Sequence, residues 1–415
     1  MKSMRKILFL ICLFSLSFYS CALRDYLAPK DNLDAERTFY AQKMNSGGSA
    51  GYFNISSQLI KTTDKLAIYL QNGGNISLYG LNKMAQDFDY YYDDMTNIYG
   101  EHSDIDANGK IIIVLMDINV KKVGPTTLAY FNPNDMYGNN KGEILYMDLS
   151  NANYNIDKSI GTLIHEFQHL INYSYVTSGK RDTMSSWLNE SLSESTSILF
   201  NKTTAQSRIN EFNQINYYCF YTWDLPDSAV TGGQLINYPS ASVFMHWLYN
   251  KSSNQRYIFK DIAQSRENTD YNKVLTAAKK YGIDGYDSWG NLLLTWMSDV
   301  VSGKVPENGG YTNKAGVKTT TGTQTLYPGA MVAYNNFSAS TNPNIVSTNV
   351  NNTNIVLNKD TTLGKTVSVK TETVSGSSSV DLAARSRKRV NIAEKKEETQ
   401  IINILLDENG NIQKY

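Results

Sequence analysis

Two short segments of this chain carry residue types whose spacing suits metal chemistry. The first is His165-Glu166-Phe167-Gln168-His169 and the second begins at Asn189-Glu190. Residues four apart lie on the same face of an α-helix, so His165 and His169 can reach one ion while Glu166 projects toward a water bound to that ion. A catalytic zinc ion needs a few fixed protein donors and one open position for water. The first segment therefore predicts a hydrolytic zinc centre, against the simpler alternative of a structural histidine pair.

The second segment supplies two carboxylates that share a helix face, Glu190 and Glu194. Glu190 can complete a His, His, Glu ligand set. Glu194, one turn later, can accept the free ring N–H of a ligating histidine and so fix its tautomer. A solvated acidic helix face is the ordinary explanation of such glutamates, but the nearby histidine segment favours the metal site.

Both segments are predicted to lie on helices. Apolar residues recur every three or four positions beside the histidines, which predicts a helix anchored in a core, namely Ile160, Leu163, Ile164, Phe167 and Ile171. Ser185 and Ser186 are suitable N-caps for a second helix over Trp187–Phe200.

Taken together, HEFQH followed by NESLSE resembles the gluzincin pattern, in which HExxH is followed by NExxx(D/E). The longer strings GTLIHEFQHLINYSY, SSWLNESLSE, DIDANGKIIIVLMDI and YPSASVFMHWLY are similar to the hyicolysin family of secreted neutral metallopeptidases, over residues 60–300. The resemblance implies that Glu190 is the third zinc ligand and that Glu194 orients His165. Ser191 departs from the glycine that usually follows the ligand glutamate.

The resemblance implies an α+β fold, a two-lobed gluzincin metalloprotease with a mixed β/α N-terminal lobe and a mainly helical C-terminal lobe. Zinc would activate a water with Glu166 as general base, and the substrates would be proteins or peptides. Gluzincin aminopeptidases carry Gly-x-Met-Glu-Asn upstream of HExxH, and this string does not precede His165. An exported endopeptidase is therefore the favoured interpretation. The alternative is a surface adhesin or binding lipoprotein in which the zinc site is only structural.

The residue that would stabilise the oxyanion of the tetrahedral intermediate is left open among four candidates. Tyr238 is favoured because Pro239 suits the first turn of a predicted helix there. Tyr173, Tyr175 and His246 are the others. The chain has 29 tyrosines, so each one taken singly is expected to serve packing more often than catalysis.

A second polar segment, Asp104 to Lys110, resembles the start of a calcium loop because oxygen side chains alternate before Gly109. The twelfth position is Leu115 and not the bidentate glutamate that an EF-hand requires. We expect a polar turn that leads into a strand, in preference to a Ca²⁺ site.

The N-terminus predicts export. A basic start precedes the apolar run Ile7–Phe18, which is typical of a signal peptide. Ser20 before Cys21 favours lipoprotein processing, so that Cys21 would carry a lipid anchor at the cell surface or outer membrane. Alternatively, Ser20-Cys21-Ala22 is a cleavage site that releases a secreted protein. Cys219, the remaining cysteine of the mature chain, is expected to be a buried apolar thiol.

The 39 basic and 39 acidic side chains balance, so nucleic-acid binding is not indicated. We also expect a monomer.

The predicted divisions are a signal peptide over 1–20, a tether and leading segment over 21–60, a zinc metallopeptidase domain over 61–303 (mixed lobe 61–158, helical lobe 159–303), a linker over 304–317 and a small accessory β domain over 318–415. Strands are predicted at Leu66–Leu70, Ile111–Met116 and Ile144–Met147, with helices at Leu81–Ile98, Asn272–Tyr281 and Ser288–Val300. A β-hairpin is predicted from Ile401 to Ile412.

Overall fold

The structure is a computed structural model that describes residues 33–44, 50–119, 126–220, 222–224, 236–307, 309–362, 365–371 and 401–402. The predicted signal peptide and Cys21 lie outside these residues, as does most of the predicted C-terminal hairpin.

A six-stranded sheet forms the first half of the described chain. Its strands follow the order β1-β2-β3-β4-β7-β6. With β5, the strands of this half are β1 Glu36–Met44, β2 Ala50–Thr62, β3 Leu66–Gln71, β4 Ile111–Met116, β5 Thr126–Thr127, β6 Ala129–Phe131 and β7 Ile144–Asp148. The central strands β3, β4 and β7 are parallel, whereas β6 is antiparallel to β7 at the edge. The three predicted strands are confirmed, and β4 is buried at every position, as expected of a strand covered on both faces.

The N-terminal hairpin of β1 and β2 forms the first two strands of this sheet, within residues 21–60, which were predicted to be a tether and leading segment. Phe39 and Ala41 of β1 pack with Tyr69 and Val114 in a separate small core. The Gln42 N–H donates to the hydroxyl of Tyr130 at 2.8 Å, which ties β1 to β6. The sequence of the hairpin is polar because its outer face is exposed. Its inner face is defined only by contact with strands that are distant in sequence.

The described residues also form nine helices, of which the first lies between β3 and β4 and the other eight follow β7. They are α1 Leu78–Tyr99, α2 Leu149–Tyr154, α3 Ile156–Thr177, α4 Ser186–Phe200, α5 Lys202–Phe212, α6 Asn237–Lys251, α7 Gln255–Ala263, α8 Asp270–Lys280 and α9 Trp289–Val301. The predicted helices are confirmed, with ends that differ by a few residues. Side-chain caps fix several starts, such as Asn155 of α3, which accepts from the Lys158 N–H at 3.0 Å.

Helix α3 lies at the centre of the helical part of the protein. It packs against α1 and α4, and every residue from Ser159 to Asn172 is buried. Helix α4 in turn packs against α6. A helix buried all round holds its polar side chains away from solvent, so histidines and glutamates placed there must find partners within the protein.

Most of the remaining strands share a core with the helices. These remaining strands are β8 Tyr217–Tyr218, β9 Thr319–Thr320, β10 Thr323–Leu326, β11 Met331–Tyr334, β12 Ile345–Val350, β13 Thr353–Asn358, β14 Val367–Lys370 and β15 Ile401–Ile402. Strand β8, from the helical half, pairs with β11, and α9 packs on β12 and β13. The predicted β structure after residue 318 is thus present, while its separation as an accessory domain stays a prediction.

Candidate metal centre

His165 and His169 of α3 and Glu190 of α4 converge on one point. The two Nε2 atoms lie 3.2 Å apart, and Oε2 of Glu190 is 3.3 Å from His165 Nε2 and 3.6 Å from His169 Nε2. One ligand atom from each residue lies within 4.8 Å of the others. The one-turn spacing puts both rings on the same side of α3, and the packing of α4 on α3 brings the carboxylate to them.

Several buried oxygens at this point lack hydrogen bonds. Among the described residues, neither oxygen of Glu190 has a hydrogen-bond partner, and the same is true of Oε1 of Glu166. Buried carboxylates without partners are costly, which indicates that a cation belongs among them. Two imidazole nitrogens and one carboxylate oxygen form a donor set that suits zinc in a catalytic site. The residues present therefore fit the ion that the sequence pattern implies.

Burial and the neighbouring charges shift the pKa values of the residues at this site. Burial lowers the pKa of His169, but the Glu190 carboxylate more than offsets it and raises the value to about 9. Burial would raise the pKa of Glu190, but the positive charge on His169 holds it at about 2. Burial lowers the pKa of His165. The Glu190 carboxylate and the His169 imidazole thus favour each other's charged forms.

Glu166 lies beside the sheet edge and is fully buried. The N–H of Phe131 in β6 donates to its Oε2 at 3.1 Å, while Oε1 has no hydrogen-bond partner among the described residues. Burial raises the pKa of the Glu166 carboxyl to about 8. A base was predicted at this position from the sequence, but its backbone donor was not, because β6 and α3 are distant in sequence.

Behind His165, Oε1 of Glu194 lies 3.6 Å from Nδ1. The carboxylate is held by Arg208 of α5, whose Nε and Nη2 each donate to a different oxygen at 2.8 Å. Glu194 was predicted at this position from the sequence, whereas Arg208 was not. A signal was present, since Arg208 shares the buried stripe of α5 with Ala205, Ile209 and Phe212.

Behind His169 lies Ser193, whose Oγ is 3.1 Å from Nδ1. The same hydroxyl contacts the side chain of Gln168 and the carbonyl of Asn189. Each imidazole therefore has its own polar neighbour on α4, a carboxylate for one ring and a hydroxyl for the other. Ser193 was not predicted, because a serine carries no distinctive pattern.

Of the four oxyanion candidates, Tyr238 lies nearest to a candidate ligand in the described ring contacts. It is fully buried near the start of α6, and its ring centre is 6.5 Å from that of His165. Tyr173 is half-buried against Phe131 at 5.9 Å. His246 is buried against Tyr311 at 4.8 Å, and burial lowers its pKa to about 4.

Tyr175, the remaining candidate, lies beyond the histidines toward the C-terminal end of α3. Its half-buried ring approaches Gly100 and lies 4.9 Å from Nζ of Lys180. The role of Tyr238 stays a prediction, with its position as support.

A second group of acids gathers at the predicted turn. Asp104 and Asp106 meet Glu143, with one oxygen from each within 4.8 Å of the others. The Gly109 N–H donates to Asp104 at 3.0 Å, and Ser103 donates to Glu143 at 2.6 Å. These bonds are those of a polar turn. Cys219 is buried, and burial raises the pKa of its thiol to about 12.

No family model matches the chain. The chain is similar to the neutral metalloprotease ShpI of Staphylococcus hyicus, with 30% identity over 204 residues. The match covers 45% of this chain and 45% of that protein, so the chain spans a little under half the length of this relative. The similarity points to neutral metalloproteases in general and does not select a subfamily.

Proposed function

We propose that this protein is a zinc-dependent endopeptidase. The observation that carries the proposal is the convergence of His165, His169 and Glu190 around buried oxygens that lack hydrogen bonds. The partial similarity to a neutral metalloprotease supports metallopeptidase activity. The hyicolysin-like assignment and the two-lobed gluzincin arrangement are proposed on the sequence strings alone.

We assign roles to the residues around the ion as follows. Zinc, when bound by His165, His169 and Glu190, would polarise the substrate carbonyl and lower the pKa of the attacking water. Glu166 takes the proton from that water and later delivers it to the leaving amine. The Phe131 N–H holds one of its oxygens, and the other, which has no hydrogen-bond partner among the described residues, is available for this transfer. Tyr238 is the proposed donor to the oxyanion.

We propose that an extended substrate binds beside Glu166 at the sheet edge. Strand β6 stands at the end of the sheet order and pairs with β7 on one side. A peptide that adds to such an edge as a further strand gains main-chain hydrogen bonds along its length. A chain bound in this way runs past the site in both directions, which supports cleavage within a polypeptide over removal of its first residue.

The experiment compares the wild-type protein with Glu166→Gln. Purified wild-type protein is expected to hold one zinc per chain and to cleave unfolded casein. Glu166→Gln is expected to keep the zinc and to lower the cleavage rate about 100- to 10,000-fold, the usual contribution of a general base.

Full cleavage activity in Glu166→Gln would disprove the assigned mechanism. Zinc binding without any cleavage by the wild type would favour the alternative, a binding protein with a structural zinc site.

We further propose that the enzyme is exported, on the basis of the N-terminal sequence, and a lipid anchor on Cys21 is part of that prediction. None of the helices in the described part of the chain has the length and apolar character to cross a bilayer. Labelling with a radioactive fatty acid, compared between wild type and Cys21→Ser, separates the anchored from the released form.

A further inference from the structure

Arg208 is a charged residue at a core position. It is 3% exposed and lies on the buried stripe of α5. Arginine is almost never so buried unless it is paired, because removal of a guanidinium from water is costly. The partners of the Arg208 guanidinium therefore indicate the role of this residue.

The guanidinium of Arg208 forms a bidentate pair with the carboxylate of Glu194. Nε donates to Oε2 of Glu194 and Nη2 to Oε1, both at 2.8 Å. A bidentate pair fixes the plane of the carboxylate as well as its position. Oε1 of Glu194 is also the atom that lies 3.6 Å from Nδ1 of His165. The orientation of Glu194 toward His165 is thus set from behind by Arg208.

The face of the same guanidinium contacts a second residue of the proposed site. Cζ of Arg208 lies 5.0 Å from the ring centre of Tyr238, within the range of a cation–π contact. The Tyr238 ring is itself 6.5 Å from the ring of His165. The Trp223 ring packs edge-on against the Tyr238 ring, with 5.0 Å between the ring centres. One side chain therefore contacts both the carboxylate behind His165 and the proposed oxyanion donor.

We propose that Arg208 is a positioning residue of the zinc centre, which acts through Glu194 on His165 and through the aromatic ring on Tyr238. The proposal rests on the zinc peptidase function proposed above. A lysine would keep the charge but lacks the planar fork and the flat face. Arg208 makes a third contact, from Nη1 to Oε2 of Glu211 at 2.9 Å. Glu211 is part-exposed and is none of the proposed site residues, so it provides a matched control.

The test compares Arg208→Lys, Arg208→Met and the control Glu211→Gln in the full chain. Zinc affinity is measured by competition with a chelator, and the geometry of the site by the visible absorption of the Co²⁺-substituted protein. Loss of a residue that orients a ligand typically weakens metal affinity or activity 10- to 100-fold. We expect a loss of about tenfold for Arg208→Lys and up to about 100-fold for Arg208→Met.

The same variants should alter the Co²⁺ spectrum and lower kcat at saturating zinc while KM stays unchanged. Glu211→Gln should match the wild type in all of these measurements. A merely structural ion pair would lower only the thermal unfolding temperature, so unchanged zinc affinity, spectrum and kcat in folded Arg208→Lys would overturn the proposal. If Arg208→Met does not fold, Arg208→Lys decides alone.

Failure of the function itself is recognised separately. A wild-type protein that binds zinc but does not cleave casein contradicts the proposed peptidase. In that case the zinc affinity and the Co²⁺ spectrum still report whether Arg208 positions His165.

Discussion

The described residues gather three candidate metal ligands at each of two places, and the two places differ in what the oxygen atoms contact. At His165, His169 and Glu190, the carboxylate is fully buried and has no hydrogen-bond partner among the described residues. The other place, the turn cluster, consists of Asp104, Asp106 and Glu143, where the carboxylates accept hydrogen bonds from the loop that carries the two aspartates.

Proximity of acidic residues is thus a weak sign of a metal site by itself. A carboxylate satisfied by N–H and O–H donors has already replaced its lost water contacts, so a cation is not required for folding. A buried carboxylate such as Glu190, which has only the two neighbouring imidazoles to offset its charge, gains a stronger partner when a cation binds. The comparison predicts that zinc contributes to stability at the histidine site and that calcium contributes nothing at the turn cluster.

The largest expected effect is on stability after zinc removal. A ligand at about 1,000 times its Kd stabilises a folded protein by about 4 kcal/mol. Treatment with a chelator should therefore lower the free energy of unfolding by about this amount in the wild type. Glu190→Gln, which removes the third donor, should show little further loss on chelation. Urea unfolding with and without chelator measures both, and an equal loss in the two proteins would contradict the ligand assignment.

A smaller effect is the pH dependence of zinc affinity. His169 must be neutral to bind a metal, and the Glu190 carboxylate raises its pKa to about 9, so zinc must displace a proton below that pH. Apparent affinity should fall about tenfold for each unit that the pH drops below 9, or about 1.4 kcal/mol per unit.

Chelator competition between pH 6 and pH 9 measures the slope. Calorimetry in two buffers of different ionisation enthalpy counts the released proton. An affinity that is constant between pH 7 and pH 9 would show that His169 is already neutral there.

The smallest effect is expected at the turn cluster. Addition of calcium should change the free energy of unfolding by less than about 0.5 kcal/mol, the range of an ordinary surface change. A double variant, Asp104→Asn with Asp106→Asn, should retain the zinc content and the casein cleavage of the wild type. Calcium stabilisation in the wild type that the double variant lacks would reverse the comparison and assign a second metal site.

Much of the local structure could be predicted because it is dictated by neighbours in sequence. The apolar run Ile111–Met116 forms β4 with the predicted ends, and the predicted helix Leu81–Ile98 lies within α1. The strands Glu36–Met44 and Ala50–Thr62 were missed, because few of their positions are buried and those few pack against strands that are distant in sequence.

The sequence by itself determined the near-range part of the metal site. Helix periodicity places His165 and His169 on one face, and Glu190 and Glu194 on another helix at one-turn spacing. Tertiary structure alone decided which distant groups complete it: the Phe131 N–H on Glu166, Arg208 on Glu194, and Glu143 beside the turn aspartates. The reason is physical, since spacing along a helix is fixed by local hydrogen bonds, whereas contacts between distant elements follow from how buried surfaces pack.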